Sequence, residues 1–145
     1  MHDIRVAGLD GSLPLDADEV TGWAAAVLDA ESLDEATLSI AFLDADEMRT
    51  LNRRSLGQDR VTDVIAFRLE HPSGIAGDVY VCPSEAARNA DAEAVPVRQE
   101  LVRLVVHGVL HVLGHEHPDE ATARTTSRMW TLQEEYVRAL TGGPA

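Results

Sequence analysis

The sequence predicts an α+β fold in which about four strands and about five helices share one core around a buried central helix. Three observations lead there. Segments rich in β-branched and apolar residues are interleaved with segments whose apolar residues recur at helical spacing, in the order strand, helix, strand, helix, two strands, then three helices. One helical segment, Val97–Leu113, carries Leu101, Leu104, Val105, Val106, Val109, Leu110, Val112 and Leu113 round most of its circumference, the pattern of a helix enclosed on all sides. A length of 145 residues with 45% hydrophobic content suffices to bury a core without disulfides or a second domain, so residues 1–145 are expected to form one domain.

In order along the chain, Ile4–Ala7 is a short apolar run that reads as a first strand, ended by turn-forming residues around Gly8 and Gly11. From Asp16 to Asp29, Val20, Trp23, Ala24, Val27 and Leu28 fall on one helical face, with acids in the first turn where the helix dipole favours them. Thr37–Leu43 reads as a strand. Asp44 then caps a short helix through Met48 and Leu51, with Glu47 at the capping-box position. The stretch from Asn52 to Thr62 mixes Asn52, Ser55, Gly57 and Asp59 with arginines and is expected to be helix end and loop. Val64–Phe67 and Asp78–Val81 are two further strands, separated by turn signals at His71, Pro72, Ser73 and Gly74. Pro83 and Ser84 open an alanine-rich helix to about Ala92. After the central helix, Asp119–Leu140 keeps Met129, Leu132, Tyr136, Val137 and Leu140 on one face and ends at Gly142 and Gly143.

Composition excludes several classes of function. The single cysteine, Cys82, permits neither a disulfide framework nor a cysteine-based zinc site, and fits reducing, cytoplasmic surroundings. The first residues show no basic region followed by an apolar run, and nothing approaches the ~18 apolar residues of a membrane span, so neither secretion nor membrane insertion is expected. A formal net charge of −13 opposes a nucleic-acid partner through phosphate repulsion. One segment is the exception. From Arg49 to Arg68, five arginines (Arg49, Arg53, Arg54, Arg60, Arg68) face two acids (Asp59, Asp63), a local sum of +3. Arg49, Arg53, Arg54 and Arg60 are therefore the candidates for contacting nucleic-acid phosphates.

The residues His107 to His117 read HGVLHVLGHEH and hold four of the six histidines in the chain. His107 and His111 are spaced i, i+4, which stacks both imidazoles on one side of a helix within reach of one ion. Gly114 stops the helix, letting the chain turn and bring His115 or His117 back; the pattern HxxxHxxGxxH gives His117 as the third ligand. Three neutral imidazoles suit Zn²⁺, and a fourth position left to water distinguishes a catalytic zinc site from a closed one. Burying imidazoles among apolar residues carries a desolvation cost that a bound cation offsets.

Gly108 bears on the reaction class. Zinc proteases with HExxH use the glutamate after the first histidine as general base, and here that position has no side chain. Peptide hydrolysis by that route is disfavoured. Neutral ligands leave the ion its full charge, which can bring a bound water to a pKa of ~7, so phosphodiester hydrolysis by a zinc-bound water needs no side-chain base. For Gly108 itself, two roles stand open: close helix packing, or clearance beside the ion.

HGVLHVLGHEH closely resembles the signature of the YbeY family, zinc-dependent bacterial endoribonucleases of ribosomal RNA maturation, whose histidine helix reads HGxLHLxGxDH. The resemblance extends to LNRRSLGQDRVTDVIAF (Leu51–Phe67), to GDVYVC (Gly77–Cys82) and to MWTLQEEYV (Met129–Val137), in the family's order. It implies a mixed sheet of about four strands with helices packed on it, and one Zn²⁺ per chain on His107, His111 and His117. Further implied are single-strand-specific cleavage in ribosomal RNA processing, including the 3′ end of the small ribosomal subunit's RNA, and a part in ribosome quality control. His115 is not implied as a ligand. Glu116 replaces the family's usual Asp and keeps a carboxylate able to orient an imidazole by hydrogen bonding. Where the family's RGKD carries an arginine and a lysine, this chain has Leu56 and Gln58, which removes two positive groups from the site of a phosphorane-like transition state. That departure motivates an alternative expectation, a ribosome-associated assembly or binding factor with a mainly structural zinc and weak cleavage.

Overall fold

The computed structural model describes residues 2–69, 74–115 and 128–142. The strands β1 (Asp3–Ala7), β2 (Ala36–Phe42), β3 (Val64–Leu69) and β4 (Ile75–Val81) form one mixed sheet in the order β1-β2-β4-β3. β1, β2 and β4 run parallel, and β3 lies antiparallel to β4 at the edge. The register sets Val6 beside Ile40, Ile40 beside Val79 and Val79 beside Ala66, so an apolar row crosses all four strands. Period-2 alternation sends Leu38, Ile40, Val79 and Val81 to the main core and Ile65, Phe67, Tyr80 and Cys82 to a smaller cluster with Met48 and Leu51.

Five helices accompany the sheet among the described residues: α1 (Ala17–Ala30), α2 (Ala45–Leu56), α3 (Pro83–Glu93), α4 (Val97–Val112) and α5 (Arg128–Thr141). α1 and α2 both start with a full capping box, Asp16 with Glu19 and Asp44 with Glu47, which satisfies two otherwise unpaired backbone donors at each start. α2 runs as far as Leu56, so Asn52 is helical and fully packed rather than a turn residue. Of the expected last helix, residues 119–127 lie outside the described residues, as do His71, Pro72 and Ser73 of the expected turn.

α4 is the centre, as its encircling apolar residues imply, and packs on α1, α3, α5, β3 and β4. Its seating on the sheet rests on two reciprocal contacts. A Cβ at Gly108 would come 2.4 Å from Val79 Cγ1, and a Cβ at Gly77 would come 2.5 Å from Val112 Cγ1. Each strand valine or helix valine thus fills the gap left by the other element's glycine. Four helix residues advance about 6 Å and two strand residues about 6.7 Å, so the two contacts match in spacing and lock both the rotation and the position of α4. Gly108 is therefore explained by helix-to-sheet packing, with its Cα facing Val79 of β4. β4 begins at Ile75, three residues before the expected Asp78, because Ile75, Ala76 and Gly77 pair with Ala36, Thr37 and Leu38 of β2; Gly77, which weakens a strand signal in the sequence, is small where Val112 of α4 comes close.

Candidate functional site

Locking Gly108 and Val112 against β4 sets where their neighbours project. His107 and His111 each precede one of these contact residues by one position, so they emerge together along one edge of the buried stripe. His107 is half-buried and His111 is exposed. The desolvation argument for a cation thus applies to His107 and hardly to His111.

α4 ends in a Schellman motif: Gly114 N–H donates to the His111 carbonyl at 3.0 Å and His115 N–H donates to the Leu110 carbonyl at 3.0 Å. Gly114 takes φ +98°, which a side chain would strain. His115 is held by α1 instead of joining the pair, with Nε2 2.8 Å from Glu31 Oε1, while Tyr136 Oη donates to Glu31 Oε2 at 2.7 Å. Burial opposes the charged form of Glu31, but the hydrogen bonds from Tyr136 and His115, with the positive field of Arg128, hold its carboxyl below the usual range. The same carboxylate and burial push the Tyr136 phenol up to about 12. His117 and Glu116 lie outside the described residues. Among the described residues no three metal-binding side chains converge.

His107 heads a continuous polar network along one wall of a cavity. Its Nδ1 lies 2.9 Å from Gln133 Oε1, and Gln133 Nε2 donates to Glu134 Oε2 at 3.1 Å. Arg103 grips Glu134 with two donors, Nε to Oε2 at 2.8 Å and Nη2 to Oε1 at 2.9 Å, and donates from Nη1 to Glu100 Oε1 at 2.7 Å. Asn89 Nδ2 completes it, donating to Glu100 Oε2 at 3.2 Å and Asp63 Oδ2 at 3.0 Å. Burial opposes ionisation of Glu134, yet the Arg103 and Gln133 hydrogen bonds hold its carboxyl below the usual range, and Glu134 in turn raises the Arg103 guanidinium further. The cavity, about 840 Å³, is lined by His107, Gln133, Glu134, Asn89 and Trp130 on the helices and by Arg60, Thr62 and Asp63 on the loop after α2.

Two donors of the kind zinc takes, His107 and His111, stand one turn apart on α4, and an amide oxygen 2.9 Å from His107 Nδ1 is the type of partner that orients metal-bound histidines.

The four candidate arginines are placed differently. Arg60 lines the cavity, with Nε donating to Gln58 Oε1 at 3.0 Å. Its loop is anchored by the buried Asn52, whose Nδ2 donates to the Arg60 carbonyl at 3.0 Å. Arg53 and Arg54 occupy the last turn of α2, where cations complement the helix dipole. Arg49 is bound by Asp59. Leu56 is 52% exposed, a large apolar side chain where an arginine is expected.

Gln133 and Glu134 fall in the segment MWTLQEEYV that resembles the family, but the sequence assigned them no role; the available signal was two polar residues among Met129, Leu132 and Val137 on the packing face of the last helix, and nothing singled out Arg103 or Asn89.

Residues 10–141 match the family model described as Endoribonuclease YbeY. The chain is 32% identical over 133 residues to an endoribonuclease YbeY of Cellvibrio japonicus, covering 89% of this chain and 75% of that protein. It is 35% identical over 137 residues to an endoribonuclease YbeY of Halorhodospira halophila, covering 90% of this chain and 86% of the relative. The solution structure of TM1509 from Thermotoga maritima is similar at a TM-score of 0.68 and 30% identity, covering 96% of this chain and 89% of that one.

Proposed function

The chain belongs to the YbeY endoribonuclease family, and from that premise we propose that it is a zinc-dependent endoribonuclease cutting single-stranded RNA in ribosomal RNA processing. The observation that supports the metal reading is the His107 Nδ1–Gln133 Oε1 contact, of the kind that orients metal-bound histidines, on the helix that also bears His111; Nε2 is the atom we assign to the ion. His107 and His111, with His117 as expected third ligand, would hold the ion. Zinc supplies Lewis acidity, lowering the pKa of nearby water to about 7.

The chain's own residues do the rest. Gly108 supplies no general base, consistent with phosphodiester rather than peptide chemistry. Arg60, which lines the same cavity as His107, is the arginine we assign to a phosphate of the bound strand, with Arg53 and Arg54 adding positive charge at the end of α2. Trp130 lines the same cavity and is the aromatic residue we assign to contact with a base. The proposal includes a cytoplasmic site of action, the small ribosomal subunit as partner and a part in ribosome quality control. No helix among the described residues is long and apolar enough to cross a membrane.

The exposed Leu56 favours a second reading, an assembly or binding factor of the ribosome with mainly structural zinc. Metal analysis combined with cleavage of an unstructured RNA by the natural chain and His111→Ala tests the first reading. Stoichiometric zinc and loss of cleavage in the variant support it. A zinc-free preparation that still cuts would overturn it, and zinc without cleavage would move the conclusion to the second.

A further inference from the structure

Resting on the reading of His107 as a zinc ligand, we propose that Gln133, Glu134 and Arg103 form a positioning array that fixes His107 in one tautomer, with its proton on Nδ1 and its lone pair on Nε2. The direction of every hydrogen bond follows from a fixed charge. Arg103 has donors only, and it places two of them on the two oxygens of Glu134. Glu134 is thereby held ionised and can only accept. The Gln133 amide beside it must turn its NH₂ toward Glu134 Oε2, at 3.1 Å, which leaves Oε1 as the atom 2.9 Å from His107 Nδ1. An acceptor there requires N–H on Nδ1, and a neutral imidazole with Nδ1–H has its lone pair on Nε2.

Reversing the amide would oppose two acceptors at Glu134 and lose that hydrogen bond, and only the bond to His107 could re-form, with Nδ1 accepting from the NH₂ group. Gln133 is 3% exposed, so water has little room to replace the lost one. The array is anchored at its far end as well. Arg103 also donates to Glu100, which is 6% exposed and whose second oxygen accepts from Asn89. Gln133 and Glu134 are successive residues of α5, and Arg103 lies one turn before His107 on α4. Two packed helices therefore hold the imidazole in its ligating form before any metal arrives, and none of the three positioning residues need touch the ion.

The test uses the ¹⁵N-labelled full chain stripped of metal, with long-range proton–nitrogen correlation spectra reading the His107 tautomer and a chromophoric chelator competing for zinc. The variants are Glu134→Gln and Gln133→Glu, which change side-chain size little, and Gln133→Leu, which removes the acceptor; circular dichroism checks folding. The natural chain is expected to show a single Nδ1–H tautomer. Glu134→Gln frees the amide to flip and gives mixed tautomers. Gln133→Leu lowers zinc affinity about 10- to 100-fold, the usual effect of removing a partner of a metal-bound histidine. Gln133→Glu sets a second carboxylate beside Glu134 but still faces Nδ1 with an acceptor, so the proton on Nδ1 is retained in either charge state of the ring. The inference is overturned if the natural chain carries Nε2–H, or if folded Glu134→Gln and Gln133→Leu keep both the single tautomer and the original affinity. A natural chain that binds no zinc, yet loses its tautomer in Glu134→Gln, would sink the zinc reading and leave the array standing.

Discussion

Arg49 lies in a two-point ion pair with Asp59, Nε 2.8 Å from Oδ1 and Nη2 3.2 Å from Oδ2. The pair ties the body of α2 to the loop that carries Arg60, and it also occupies one of the four arginines expected to meet RNA. Both partners are exposed, so the pair adds little stability. Asp59→Asn is expected to release Arg49 and tighten binding of single-stranded RNA at low salt. The salt dependence of affinity should steepen by about 0.7 in log–log slope, the value for one added phosphate contact on a single strand. Fluorescence anisotropy across a salt series measures this, and an unchanged slope would remove Arg49 from the interface.

Gly108→Ala is expected to destabilise the fold despite alanine's better helix propensity. The new Cβ meets the fully buried Val79, and overpacking of this kind costs about 1–3 kcal/mol against about 1 kcal/mol gained in the helix. Combining it with Val79→Ala should recover part of the loss, because the second change opens the space that the first requires. Urea unfolding of the two single variants and the double variant gives the coupling energy, and additive effects would refute the contact as the reason for glycine.

Leu56→Arg tests the missing cation. The position is 52% exposed at the end of α2, so an arginine is accommodated without burial cost. If the natural chain cleaves weakly, kcat/KM should rise about tenfold, the effect of one charge-assisted hydrogen bond of about 1.5 kcal/mol. A strong natural activity left unchanged by the substitution would show that Arg53, Arg54 or Arg60 already serves.

The Glu31–Tyr136 pair predicts stability changes at both ends of the pH scale. Glu31 is held below its ordinary 4.5 in the fold. A lowered carboxyl contributes stability above the unfolded value, and that contribution is lost as pH falls through 4.5 toward the folded value. Tyr136 is raised from 10.0 to about 12, so its contribution is complete below pH 10.0 and is lost as pH rises toward about 12. Tyr136→Phe should flatten both limbs in denaturation midpoints measured from about pH 3 to 12, a range that enters both transitions. An unchanged acid limb would dismiss the Tyr136 hydrogen bond as the cause of the Glu31 shift.

The elements were legible where the signal is local. Apolar periodicity placed α1 and α4, the Asp44 and Glu47 spacing marked the start of α2, and the small residues Ala76 and Gly77 hid only the beginning of β4. The histidine pattern pointed to α4 as the bearer of the site because i, i+4 spacing is itself a local geometry. What escaped were the pairings across elements. Gln133 meets His107 from 26 positions away and Glu31 meets His115 from 84, and tertiary packing rather than neighbouring sequence decides such contacts. Gly108 was compatible with two roles until Val79 was found against it.

The order of the chain gives the His107–Gln133 bond a consequence in time. Synthesis proceeds from the N-terminus, and α5 follows all four strands and the other four described helices. While a nascent chain has folded its sheet and α4 but not yet delivered α5, His107 lacks the acceptor that selects its tautomer, and Arg103 lacks Glu134. The positioning array therefore cannot assemble on α4 alone and waits until α5 has followed it out of the ribosome.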